Sequence, residues 1–533
     1  MTLLVVAACD EPPAGPVASS SSALQFGDLG LACPPNSCGG ANETCGNGFC
    51  ACKAGFVACG LACVDIASDA ANCGFCGNTC GAGTACYSGA CSTHPPIPPT
   101  TTQIEGFVTV SSCGGVESHP SVSLSTGLLF QANVCAGSSE TWAPAWNAAW
   151  SASKRIPAIA GFGTCGDTWT ASSGYNHMEY LSARTLNTPN CIDASNSATG
   201  IAATTAAHLS GGLFDYPASW AIPGGEAGDG QSIAFDQGGT ALWLVASNGS
   251  PNAGTRSRLY HYPVCHAGAP GSPACPRQLF GGIDFVDVGP ISSHSTVVVN
   301  PCNHHALTTH VDTTGQVVLD IVDGAGAIIT SYGIVVAQFP DHDCQQGFDC
   351  AGGNQWLCPS VATAANDCSP NRYVPRVQIA TKVVRTNDTP RCFAYLGYDE
   401  SVSAGLGNSR MRAVLQVLDV TTDAPQLAGT FRAQALSNAD SFGSTPVASR
   451  YDDSVGWFFF ATDTNSIHVS LKAVVSRDPQ FANNHLVDVS PSMTNHWVGD
   501  NLSELVEGLP GGGLFATWPS TTTIQGARVI PQQ

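Results

Sequence analysis

Cysteine placement constrains this chain more than any other feature. Of its 25 cysteines, twelve are confined to residues 33–91: Cys33, Cys38, Cys45, Cys50, Cys52, Cys59, Cys63, Cys73, Cys76, Cys80, Cys86 and Cys91. A further set is spread thinly from Cys113 to Cys392, and Cys9 stands alone near the N-terminus. A segment as short as 33–91 cannot bury enough apolar surface to hold itself together, so cross-links must constrain it. Both large sets are even in number, as pairing within each region requires, which points to an oxidising compartment. Cys73-x-x-Cys76 has the spacing of a zinc pair. Zinc sites use two well-separated pairs, however, and here cysteine runs throughout, so disulfides are expected.

The rest of the composition fixes the fold class. With 58 Gly and 34 Pro and only 11% charged residues, the chain suits a turn-rich β protein and not a helical bundle. A net charge of −20, with Lys53, Lys154, Lys382 and Lys472 as the full lysine set, leaves no basic patch. Nucleic acid is therefore excluded as a partner, as is an anionic membrane surface. The apolar run Leu3 to Cys9 is too short to span a bilayer.

Within that run, Val6-Ala7-Ala8-Cys9 resembles the lipobox of bacterial lipoproteins. The resemblance implies acylation of Cys9 and membrane contact through that lipid alone. Only eight residues precede Cys9, so 1–9 is read as a truncated export signal. Residues 10–32, rich in Pro, Ser and Ala, read as a disordered tether.

The 33–91 module carries a second resemblance. Cys59-x-x-x-Cys63-Val64-Asp65, then Asp69-x-x-Asn72-Cys73-Gly74-x-Cys76-Gly77-x-x-Cys80, then Gly83-x-x-Cys86-x-x-Gly89-x-Cys91 is similar to the repeat of the stigma-specific protein family. Such repeats are common in exported myxobacterial proteins. Upstream, Cys45 to Phe56 resembles the end of an EGF-like module. Nothing in the module looks catalytic; it reads as a spacer or interaction knob. Residues 92–102 form a Pro/Thr linker, a semi-rigid spacer that sets a domain boundary near 103.

From 103 to 533 a unit of two or three short strands recurs. The first strands are near His119–Leu124, Gly230–Phe235, Ser293–Val299, Val374–Ile379, Ser444–Ala448 and Trp497–Leu502. More apolar partners follow each one, and in Ser466-Ile467-His468-Val469-Ser470-Leu471 the period of two is plain. Six such units predict an all-β propeller of about six blades. The stretch 136–229, with Cys135, Cys165 and Cys191, holds either a seventh blade or an insertion. A β-sandwich pair or a solenoid is the competing architecture.

His496-Trp497-Val498-Gly499-Asp500-Asn501, followed by Gly511-Gly512-Gly513-Leu514-Phe515 and Trp518, resembles the closing blade of sialidase-like (BNR-type) propellers. That family needs three arginines for a carboxylate, a Tyr–Glu nucleophile pair and an Asp acid. Arg155-Ile156-Pro157 matches its first arginine motif, but no S-x-D-x-G-x-x-W box occurs, and Trp142 is at best a remnant.

Metal chemistry has two weak footholds, His304-His305 with His310 and Asp341-His342-Asp343, both better explained as polar loop residues. Asp-rich turns at Tyr451-Asp452-Asp453 and Asp236 to Gly239 suit hairpins and leave a structural calcium open; no other cofactor is expected. Cys344, Cys350, Cys358 and Cys368 are expected to staple one loop. The expected function is non-catalytic binding of a protein or glycan at the bacterial cell envelope, by an outer-membrane lipoprotein or a secreted protein. A sialidase-like hydrolase is the alternative, and a structural envelope component the next.

Overall fold

A computed structural model describes residues 38–532, with these exceptions: 47–48, 98, 113–117, 125, 135–137, 153, 156–162, 174–177, 187–196, 206–217, 227–230, 236–240, 248–256, 264–284, 290–295, 312–315, 335–376, 387–388, 404–408, 434–440, 463–467, 492, 495–505 and 520–522. Cys9, Cys33, the tether and the cysteine group from Cys344 to Cys368 lie outside the described residues, as does Trp497–Leu502. Every regular element among the described residues is a β-strand, and no helix is long and apolar enough to cross a membrane.

Seven antiparallel meanders, here called blades 1 to 7, form the large domain. Five coincide with units legible in the sequence, and a sixth, blade 7, does so in its second and third strands, its innermost strand being Val506–Gly508. The additional one, blade 2, runs through Gly163–Ser173, Met178–Leu186, Ser197–Thr205 and Ala218–Glu226, so the stretch around Cys165 is a blade and not an insertion.

The innermost strands are Ser118–Val122, Gly163–Ser173, Gln231–Phe235, Val297–Val299, Val377–Thr386, Ser441–Ala448 and Val506–Gly508 for blades 1 to 7. Each packs against the next, and the last returns to the first, so the ring is closed. Closure is completed by an exchange between distant parts of the chain. The outermost strand of blade 7 is Gln103–Ser111, which pairs with Ile524–Ile530 from Gln103↔Ile530 to Ser111↔Ile524.

Alternation explains why these strands stack. In blade 5, Cys392, Ala394, Leu396 and Tyr398 face blade 4, while Phe393 and Tyr395 face blade 6. Blade 5 is thus buried on both faces, and the core among the described residues is a series of layers between blades. Polar ties cross the same seams. Ser232 Oγ bonds the backbone of Val297, Thr296 Oγ1 donates to Val377 O at 3.1 Å, and Asn300 Nδ2 donates to Val420 O at 2.7 Å. Cys302–Cys392 adds a covalent tie between blades 4 and 5.

The small module is stapled as its composition demands. Its disulfides are Cys38–Cys50, Cys52–Cys63, Cys59–Cys76, Cys73–Cys86 and Cys80–Cys91, and Cys45 is also disulfide-bonded. Cys73 and Cys76 therefore belong to two different disulfides, which removes the zinc reading of that pair.

Candidate functional site

Because every blade is an up-and-down meander, its first and third turns fall at one end of the propeller. Its second turn and the connection to the next blade fall at the other. The two ends carry different chemistry.

The first end receives the cysteine module. Cys76 N donates to Leu124 O at 2.7 Å, and Gly511 N donates to Ser88 O at 2.7 Å. Phe75 lies over Gly127, whose φ of 70° and lack of a Cβ admit the ring. Ile66, Leu124 and Tyr451 form a small shared core with Val57, Cys59 and Val64. From blade 5, Arg385 donates to Ala54 O through Nε (3.1 Å) and Nη2 (2.8 Å), stacks over Phe56 at 3.9 Å, and lies 3.8 Å from Asp65. The module is thus packed on blades 1, 5, 6 and 7.

The turn that meets it in blade 7 contains Gly511, Gly512 and Gly513, all with φ above 80°. Arg528 holds the carbonyls of Gly511 and Gly512, and Asp452 accepts from Gly513 N at 3.1 Å. Burial pushes the Asp452 carboxyl up, but Ser454, Ser449, Arg477 and the Gly513 N–H more than offset this and hold it below its ordinary value. Lys382 lies buried beside it, donating to the carbonyls of Ser449 and Asp452, and that burial lowers its pKa. The Asp-rich turn singled out in the sequence is therefore an anchor for the module seam. Its charges are answered by hydrogen bonds and cations.

At the far end, polar side chains collect in the seams on either side of blade 4. Between blades 4 and 5, Glu400 is only 1% exposed and accepts from Arg412 Nε at 2.7 Å and Arg432 Nε at 3.0 Å. Below it, Tyr398 accepts a hydrogen bond from Gln416 at 3.2 Å. Burial first, and the nearby Glu400 carboxylate second, push the Tyr398 hydroxyl up to about 12.

Between blades 3 and 4, His310 Nδ1 lies 3.0 Å from Asp320, which also accepts from Ser331 Oγ at 2.5 Å. Gly289 closes over the His310 ring; a Cβ there would come within 2.2 Å of it. Trp243 and His261 stack deeper in the same seam at 3.7 Å, and burial lowers the His261 pKa to about 3.

The histidines named from the sequence are not brought together. His305 Nδ1 bonds Asp423 at 2.8 Å at the module end, while His310 belongs to the far end. His304 adopts φ 63° in the intervening turn, and burial, then His305, lowers its pKa to about 4. Among the described residues, the one sulfur or carboxylate group spaced for a metal is Cys73, Cys80 and Cys91, and all three are in disulfides. Asp341, His342 and Asp343 lie outside the described residues, as does the Asp236–Gly239 turn.

Arg155 falls on Lys154–Arg155, the outermost strand of blade 1, which places it away from the ring axis where a carboxylate clamp would stand. Trp142 is on the neighbouring strand, where its backbone accepts from Ser151 N at 2.9 Å.

Sequence reasoning did not find Glu400, Arg412 or Arg432. A signal was present, because Glu400 continues the alternate positions of Ala394, Leu396 and Tyr398 into a place where an apolar residue is expected.

No family model and no curated protein matches this chain. Among solved structures, it is similar to the BP39L lectin from Burkholderia pseudomallei, at 12% identity over 70% of this chain and 84% of that one, with a TM-score of 0.40. AofleA from Arthrobotrys oligospora aligns at 11% identity over 74% and 92% of the two chains, with a TM-score of 0.34. A puromycin hydrolase aligns at 10% identity over 93% and 61%, with a TM-score of 0.36.

Proposed function

We propose that this protein is a non-catalytic binder of glycans, exported to the cell envelope and held there by a lipid on Cys9. The propeller presents its ligand site at the end opposite the cysteine module, around blade 4. The supporting observation is the polar seam between blades 4 and 5, where the buried Glu400 carboxylate fixes the orientation of two partly exposed arginines, an arrangement that recognises hydroxyl and carboxyl groups without reacting with them.

A sialidase-type reaction asks for a tyrosine activated as a nucleophile. Tyr398, the tyrosine beside a glutamate and two arginines, is fully buried, and its proton is held more tightly than usual. That favours binding over hydrolysis. The disulfides fit an oxidising compartment.

A glycan array with the purified protein tests the reading. Saturable binding to a defined group of glycans, left uncleaved after prolonged incubation, is expected. Release of a sugar product would make the protein a hydrolase. Lipid attachment is tested separately, by mass spectrometry of mature protein from native cells, where an acyl group on Cys9 is expected.

A further inference from the structure

The seam at Glu400 has more cationic groups than its carboxylate requires. Arg412 comes from the third strand of blade 5 and Arg432 from the fourth, and cross-strand pairing of Glu400 with Arg412 and of Val414 with Arg432 brings both to one side of the blade. Both Nε atoms converge on the same oxygen of Glu400. One buried carboxylate balances one guanidinium, so the trio carries a net positive charge in a chain of net charge −20.

Asp399 does not compensate. It faces blade 6, where it accepts from Gly443 N at 2.9 Å and Ser444 N at 3.3 Å. Nor are the guanidiniums sealed away: the Arg412 and Arg432 side chains are 29% and 45% exposed. Among the described residues, the Nη atoms of Arg432 have no hydrogen-bond partner.

We infer that Arg412 and Arg432, aligned by buried Glu400, form a receptor for an anionic group on the ligand, and that the glycan recognised is an acidic one bearing a carboxylate or sulfate. This rests on the glycan-binding reading above and narrows it. The physical reason is preorganisation. A guanidinium already fixed through Nε loses little freedom when its remaining N–H groups engage a second oxyanion, and a planar fork suits a carboxylate or sulfate in two-point contact. Glu400 accounts for the order of the pair, and its burial keeps it from pairing with solvent cations.

The test is calorimetric titration of the full-length protein with trigalacturonate, its methyl ester and heparin-derived hexasaccharide. The expected result is saturable binding of at least one acidic probe, at least tenfold tighter than the neutral ester and weakened by added salt. Arg432→Gln should lose about tenfold in affinity for the acidic probe with only a small fall in melting temperature, since Arg412 still answers the Glu400 carboxylate.

Glu400→Gln provides a second reading. Removing the competing charge while keeping the shape should leave the acidic probe bound as tightly as before, or more tightly. Equal affinity for acid and ester, or an Arg432→Gln protein that binds like the parent, overturns the inference but keeps the glycan reading. If the array and all three probes show no binding, both fall.

Discussion

The two ends of the propeller are built from different materials. At the module end, backbone amides, glycines and cations bonded to carbonyls make the contacts. Gly127 admits Phe75, Gly511 meets Ser88, and Arg385 spends its donors on a carbonyl. At the far end, charged side chains are held in fixed geometry, with exposed guanidinium and buried carboxylate. Main-chain groups bonded to one another leave no side-chain charge to offer a ligand, which suits a permanent joint. Side-chain pairs with exposed edges are suited to meeting something else. On the proposed reading, stability and recognition are separated along the ring axis.

Substitutions at the two ends should therefore give opposite profiles. The largest effect is expected at the ring joint itself. Val110, 1% exposed on the closing strand, packs with Phe515 and Ile524, so Val110→Asp buries an unpaired charge and should cost about 4 kcal/mol or more. Urea denaturation followed by tryptophan fluorescence would show it, and a small shift would mean that the closing strand contributes little.

Acidification comes next. His261 and His304 have folded pKa values of about 3 and about 4, below the unfolded value of 6.5. The unfolded chain binds protons first as pH falls, so the stability these groups contribute is complete above about 6.5 and declines as pH falls toward 4, by roughly 3 kcal/mol per histidine at most. Asp452, lowered from 3.8, adds a loss of the same sign below its unfolded value. Denaturation midpoints that stay flat between pH 7 and pH 4 would contradict this.

A seam substitution should rank third. Arg385→Ala removes two donors from Ala54 O and the cation over Phe56, with an expected cost of about 2 kcal/mol and faster proteolysis of the 92–102 linker. Smallest of all should be Arg432→Met at the far end, about 1 kcal/mol, because Arg412 still answers the buried Glu400 carboxylate. If the far-end variant proves the more destabilising of the last two, the division between the ends is wrong.

Much of the fold was legible in the sequence because buried strands announce themselves by alternation. His468–Ser476 and Val455–Thr462 are examples, with apolar residues at each second position or throughout. Blade 2 was harder. Its first strand, Gly163–Ser173, reads Gly, Thr, Cys, Gly, Asp, Thr, a composition that resembles a loop as much as a strand. The closing strand Gln103–Ser111 was hidden for a different reason: its partner lies more than 400 residues away, a relation that no local pattern contains. The module's docking was invisible for the same cause, since the glycines that receive it are spread over blades 1 and 7. At the site, Glu400, Arg412 and Arg432 look like ordinary strand polarity until the register between strands sets them side by side.

The pairing of Gln103–Ser111 with Ile524–Ile530 has a consequence for the order of events in biosynthesis. A ribosome delivers residues 103–111 more than 400 residues before 524–530, so the first propeller strand must wait for all the blades between before it acquires its neighbour. Contacts this remote in sequence are slow to form. Throughout that interval its apolar residues Val108 and Val110 have blade 1 residues such as Val122 and Leu129 to pack on, but the strand has no partner to pair with. The disulfide module, complete in sequence before any blade, is the part of the chain able to oxidise and compact first. The protein would then mature from a stapled head to a ring that shuts only when its final strand arrives.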